Sequence, residues 1–272
     1  MKRYFVLLVF LVMAIFGCGM KKTDIYYPKA HYTQMTLDQA DKKVIYVDWG
    51  NPLVYAGKMQ TNSEVVKGKT NEVIYVLVQK QDTKEKGWVS LSSVVKNPVA
   101  KATLLNTTQI YKTPNEVSRE FFTMVAPMIG YVVEIQEGWA RVQWYMAAYK
   151  TFTGKSDWTT YEWVKLSEIS TNANEADLLS LAYVSYKKLA DWQAKWPTLT
   201  DEKQKLSMSN EIETEIIYLE KAIKNYGGAY GPVASSRYVA NIVDSLRSLI
   251  YPPIQEEYTE ESYDGEEMSE EY

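Results

Sequence analysis

The sequence predicts an α+β chain of several domains, two small β-barrels followed by a three-helix antiparallel bundle. Short runs rich in β-branched and aromatic residues alternate with turn formers from Val44 to Leu166, with no helical spacing between them. Two stretches inside that region match each other, Gly87-Trp88-Val89-Ser90-Leu91-Ser92-Ser93-Val94 and Glu162-Trp163-Val164-Lys165-Leu166-Ser167-Glu168-Ile169. Past Thr171-Asn172-Ala173-Asn174 the apolar residues fall three and four apart instead, the period of a helix face. With 272 residues, 46% of them apolar, the chain can bury more than one core.

The first 17 residues read as a signal segment. A basic start, Lys2-Arg3, precedes an uncharged run of 13 residues, Tyr4 to Phe16. That is too short for a bilayer span of about 20 residues and suits the apolar region of a signal peptide. Ile15-Phe16-Gly17-Cys18 follows, and Cys18 is the only cysteine. This run resembles the lipobox of bacterial lipoproteins, with Phe16 departing from the small or β-branched residue usual before the glycine. The resemblance implies cleavage before Cys18, a diacylglyceryl thioether on its sulfur and a mature N-terminus held on a membrane by two or more acyl chains, which anchor stably where one does not. Gly19 stands where an Asp would signal inner-membrane retention in enteric bacteria, which favours the outer membrane if the source is Gram-negative. Residues 18–40 show no periodicity and are expected to form a tether, with Pro28 breaking any long helix.

Strands are expected at Val44–Trp49, Glu72–Gln79 and Gly87–Leu91 in one barrel, residues 41–97. In the second, residues 98–172, they are expected at Ala102–Leu105, Gln109–Thr113, Phe121–Met128, Tyr131–Gln136, Trp139–Met146 and Tyr161–Leu166. Asn51–Tyr55 pairs loosely with Gln109–Pro114, giving a repeat of roughly 55 to 75 residues, the size of a small domain. Alternation in Trp139–Met146 sets Ala140, Val142, Trp144 and Met146 on a core face and Trp139, Arg141, Gln143 and Tyr145 on the other.

Residues 102–170 resemble a bacterial SH3 (SH3b) domain, and 42–96 resemble a weaker copy. The likeness rests on Gln109–Asn115, on Gly138-Trp139-Ala140-Arg141-Val142 and on Glu162-Trp163-Val164. It implies two SH3-like barrels with a binding role, commonly toward peptidoglycan or peptides, and a ligand-facing Trp139. Tyr111, Trp139 and Tyr145 are then candidates for an aromatic platform, against the alternative of edge packing under a loop. Val73 stands opposite Trp139 in the first copy, which makes that platform degenerate. Lys165 and Glu168, with Ser90 and Ser93, replace the groove-forming Pro and Tyr of eukaryotic SH3 domains, so Pro-x-x-Pro binding is not expected. Trp88 and Trp163 are expected to fill barrel interiors. The long stretch from Met146 to Thr160 adds Tyr149, Phe152 and Trp158 as ligand-binding candidates, the alternative being a hairpin folded back over the barrel.

Residues 173–253 read as three helices. Asn174 is a candidate N-cap, and Leu178, Leu181, Ala182, Leu189, Trp192 and Trp196 form a stripe ended by Pro197. A second helix begins near Thr200 and carries Ile212, Ile216, Leu219, Ile223 and Tyr226 before Gly227-Gly228. The third begins near Pro232, carries Val239, Ile242, Val243, Leu246, Leu249 and Ile250, and stops before Pro252-Pro253. Residues 254–272 hold nine acidic and no basic residues and are expected to be a disordered acidic tail.

Composition narrows the chemistry. One cysteine and one histidine (His31) cannot build a zinc cluster or a disulfide, and a nucleophilic Cys–His pair would need two residues that both lie near the N-terminus. A net charge of −4 without basic clusters argues against a nucleic-acid partner. No catalytic residue, metal or cofactor is therefore expected. The expected partners are a membrane, through acylated Cys18, and peptidoglycan or an envelope protein. Surface-exposed adhesion to host protein and a cell-wall hydrolase targeted by the SH3b modules are the alternatives.

Overall fold

The computed structural model describes residues 23–38, 43–66, 69–145, 161–227 and 233–252. They form two β-sheets and three α-helices. The first sheet contains β1 (Ile25–Pro28), β2 (Thr33–Asp38), β3 (Lys43–Val47), β4 (Leu53–Val66), β5 (Lys69–Lys80), β6 (Lys86–Ser90) and β7 (Val94–Lys96). The second contains β8 (Ala100–Leu104), β9 (Thr108–Tyr111), β10 (Arg119–Met124), β11 (Met128–Gln136), β12 (Trp139–Trp144) and β13 (Tyr161–Lys165). The helices are α1 (Ala173–Lys195), α2 (Glu202–Tyr226) and α3 (Ser236–Ile250).

The two sheets share one topology. Their strand orders are β3-β2-β6-β5-β4-β1-β7 and β10-β9-β13-β12-β11-β8. Strand for strand these coincide, and the place of β7 is taken in the second unit by a bridge between Ser170 and Thr103. Each unit has a short 3-10 turn after its closing Trp-Val strand, Leu91–Ser93 and Leu166–Glu168, entered at nearly the same backbone angles. Trp88 pairs with Leu77 and Thr36, as Trp163 pairs with Arg141 and Tyr111.

The structure corrects four expectations. The first unit begins at Ile25, so β1 and β2 belong to its sheet and residues 25–38 are not tether. Their alternation is visible as buried Tyr26, Thr33 and Met35, but the segments are only four and six residues long. Counting back from the tryptophans, Tyr75 faces Ser90 as Trp139 faces Lys165, so the counterpart of Trp139 is Tyr75 and not Val73. Asn51–Tyr55 does not pair with Gln109–Pro114, because Leu53 lies opposite Tyr26 as Gly130 lies opposite Ala102, while β9 corresponds to β2. Finally, the helix cap is Asn172, whose side chain accepts from the Asn174 N–H.

The β4–β5 ladder runs on to Val66 and Lys69, past a register shift between Tyr55 and Met59 where Gly57 has φ +87°. Its counterpart β11–β12 turns tightly at Glu137-Gly138, both at positive φ. Gly130 on β11 is required for another reason, since a Cβ there would stand 2.5 Å from the Gln143 carbonyl oxygen.

Three cores result. Tyr26, Met35, Leu53, Val76, Val78 and Val89 fill the first sheet, and Leu104, Ile110, Met128, Val142, Trp144 and Val164 the second. Ala140, Val142 and Trp144 thus lie on the core face, as the alternation predicts. The third core joins all three parts. Trp49 and Val95 from the first unit and Ile129, Tyr131 and Tyr145 from the second pack with Leu178, Leu179, Tyr183, Ile212, Leu219, Val239 and Leu246 of the helices. The apolar surface of α1 is wider than one stripe, because Leu179 and Tyr183 are buried beside Leu178 and Ala182. Each large apolar side chain fully buried in this way is worth about 1.5–3 kcal/mol.

Candidate functional site

The structure brings Tyr111 and Trp139 together. Tyr111 ends β9 and Trp139 begins β12, and their rings meet edge to face with centroids 4.7 Å apart, a geometry favoured by aromatic quadrupoles. Tyr111 is buried and Trp139 half-buried. The Tyr111 hydroxyl donates to Glu116 Oε2 at 3.1 Å, and Lys165, paired with Trp139 across the ladder, reaches Glu116 Oε1 at 2.6 Å. The Lys165 hydrogen bond holds the Glu116 carboxyl below its ordinary value, and Glu116 raises Lys165 in turn. Glu116 is fixed by a stapled loop in which Asn115 Oδ1 accepts from the Ser118 N–H and Ser118 Oγ donates to Thr113 O. The result is an aromatic corner rimmed by one carboxylate and one ammonium, with Val117 almost fully exposed beside it.

Tyr145 is not part of that corner. It follows β12 at the end opposite Trp139 and is buried under α1, its ring edge to face with Tyr183 at 5.1 Å. Helix docking overrides the strand alternation here, and Gln143 is buried as well. In the first unit Tyr75 and Trp88 line a small cavity of about 190 Å³ with Thr36, Ser90 and Ser93, so an aromatic position survives where a degenerate platform is expected. Trp163 is buried and Trp88 half-buried, but neither joins a sheet core: the adjacent Val164 and Val89 do, so the tryptophans lie on the opposite face and do not fill the interiors as expected. Cys18, Tyr149, Phe152, Trp158 and the acidic tail lie outside the described residues.

A second feature was not anticipated. The turn between β1 and β2 carries His31 into the meeting point of the three parts. Its backbone N–H donates to the Tyr145 hydroxyl at 3.2 Å, and its ring stacks on Tyr183. Nδ1 lies 3.4 Å from Asp48 Oδ1, and Nε2 shares a 2.8 Å hydrogen bond with Ser180 Oγ on α1. Burial lowers the pKa of His31, against the pull of Asp48 and with a smaller push from Lys187. Close by, Tyr131 stacks on Trp49 at 4.9 Å and accepts the Gly50 N–H at 2.9 Å. Burial holds the Tyr131 phenol well above its usual range.

These residues border an open cleft of about 660 Å³ between the first sheet unit and helices α1 and α2. Ser180, His31 and Asp48 stand in the order of a hydrolytic triad, yet acyl transfer also needs donors for the oxyanion. Four backbone N–H groups on the sheet side of the cleft are engaged elsewhere: His31 on Tyr145, Tyr32 on Asp48, Gly50 on Tyr131 and Asn51 on the Asp48 carbonyl. Ser180 sits inside α1, where its own N–H belongs to the helix. The row links the first unit to α1 through side-chain hydrogen bonds. The signals in sequence were the single histidine and the polar residues Asp177, Ser185 and Lys188 on one side of α1.

Among the described residues no cluster of three or more His, Cys, Asp or Glu could hold a metal ion, and no helix is long and apolar enough to cross a membrane. No family model, no curated protein and no solved structure matches this chain.

Proposed function

We propose that this chain is a lipid-anchored, non-catalytic binding or scaffold protein of the cell envelope. In this reading Cys18 carries the anchor, two SH3b-like barrels contact peptidoglycan or a peptide or protein partner, and a three-helix bundle sets the barrels in place. The observation that carries it is the Tyr111–Trp139 corner, a half-buried tryptophan held edge-on by a buried tyrosine and rimmed by Glu116 and Lys165. Such anchors, aromatic and framed by polar groups, supply most of the energy of a binding surface.

The test is capture of envelope material by the native chain, whose intact mass also reports acylation at Cys18. Trp139→Ala is expected to weaken capture by about 2 kcal/mol while circular dichroism and the unfolding midpoint stay in place. Global unfolding of the variant would make Trp139 a packing residue. A free Cys18 thiol on the native polypeptide would remove the anchor.

A further inference from the structure

The cleft at the sheet–helix junction has the size and the charge layout of a ligand site, and it lies apart from the Tyr111–Trp139 corner. Its volume of about 660 Å³ falls in the range of small-ligand pockets, roughly 300–1,000 Å³. One side of α1, from Asp177 through Val184 to Lys188, forms its floor. At a helical rise of 1.5 Å those positions span about 16 Å.

The two ends differ in charge. At one, Asp177 is ion-paired with Lys101, and Asp48 stands nearby with 55% of its side chain exposed, so carboxylates outnumber cations. Trp49 walls this end, and its buried indole N–H has no acceptor among the described residues. At the other end Lys188 meets Glu215 at 2.7 Å. Glu215 is nearly buried and its second oxygen takes the Ser185 hydroxyl, whereas Lys188 is 46% exposed and directs further N–H donors outward.

We propose that this cleft binds a short zwitterionic peptide, its ammonium at the Asp48–Asp177 end and its carboxylate at Lys188. An extended chain covers about 3.3–3.6 Å per residue, so four or five residues bridge the two ends. The carboxylate adds a charge-assisted hydrogen bond to an ammonium whose fixed partner is already satisfied, and the amine completes the under-compensated acidic end. Both termini are read, and capping either one removes a contact.

The experiment is calorimetric titration of the full chain in detergent with tetra-alanine as the probe. The free-terminus peptide is expected to bind with Kd below about 1 mM, and N-acetylation or C-amidation to weaken it at least tenfold. All-L and D-terminated forms separate a protein-derived from a wall-derived source, and binding of either supports the site. Val184→Trp, which fills the cleft without touching its charges, is expected to abolish binding, and Trp139→Ala to leave it unchanged. No heat from the free peptide, equal binding of capped and free forms, or loss with Trp139→Ala alone would each overturn the proposal.

Discussion

Single residues set opposing responses to pH in this molecule. Glu162, buried on β13, has its carboxyl pushed up to about 7 by burial and then by nearby Glu120, with Lys112 opposing. Its ordinary value is 4.5, so between those limits the folded chain binds a proton that the unfolded chain releases. Its favourable contribution is thus complete below about pH 4.5 and is lost as pH rises through 7. Glu162→Gln is expected to remove that decline and to stabilise the chain by about 1–2 kcal/mol above pH 7, read from denaturant midpoints. An unchanged pH slope in the variant would contradict the assignment. At this scale the sequence was legible where a local motif decides the outcome. Trp139 and Tyr111 meet because β12 and β9 flank the same strand, β13, and the Gly-Trp segment marks β12. Tyr145 was misread because nothing in its own strand reports that a helix 38 residues later, carrying Tyr183, would cover it.

At the scale of elements, the helices are joined to the second sheet by a few buried polar contacts. Glu175, in the first turn of α1, is buried and receives the Thr103 hydroxyl and the Ala234 N–H, both at 3.3 Å. It connects β8, α1 and the approach to α3. Arg237 and Tyr238 of α3 add hydrogen bonds to the Leu105 carbonyl. Glu175→Ala removes the better acceptor of the buried Thr103 hydroxyl, which keeps only the Ser170 carbonyl at 3.5 Å, and frees the Ala234 N–H; it is expected to cost about 1–2 kcal/mol, measured as a lower urea midpoint, with Glu175→Gln recovering part of it. A loss under about 0.5 kcal/mol, the range of ordinary surface changes, would show that the carboxylate is not holding the joint. Helices and most strands flanked by clear turn formers were readable from period and punctuation. The strands β1, β2 and β7 were not, because four, six and three residues give too few repeats of the pattern to stand out from a coil, and β4, the longest strand, was hidden by Gly57 and a mostly polar run from Lys58 to Ser63.

Across the whole molecule, His31 adds a polar tie to the apolar core that the three parts share. Asp48 and Tyr32 face it from the first unit, Tyr145 from the second, and Ser180, Tyr183 and Lys187 from α1. Its lowered pKa gives a sign opposite to that of Glu162. The unfolded chain takes up a proton near pH 6.5 that the buried ring resists, so this contribution is complete above about 6.5 and fades as pH falls toward the folded value. In the Glu162→Gln background, where the opposing contribution is gone, acidification from pH 7 to 5 is expected to lower the melting temperature through this joint, and His31→Gln to flatten that limb. A variant that keeps the wild-type acid limb would assign the loss elsewhere. The duplication itself was visible in the paired Trp-Val segments, but its register was not, since it depends on which strands hydrogen-bond.

That register also shortens the leash. With Ile25 already in the first sheet, six residues lie between it and Cys18, seven steps with a reach of at most about 25 Å. On the proposed anchoring, the first unit stays within one small domain's width of the lipid surface. A partner embedded deeper in the wall must come to it, or be met by the second unit.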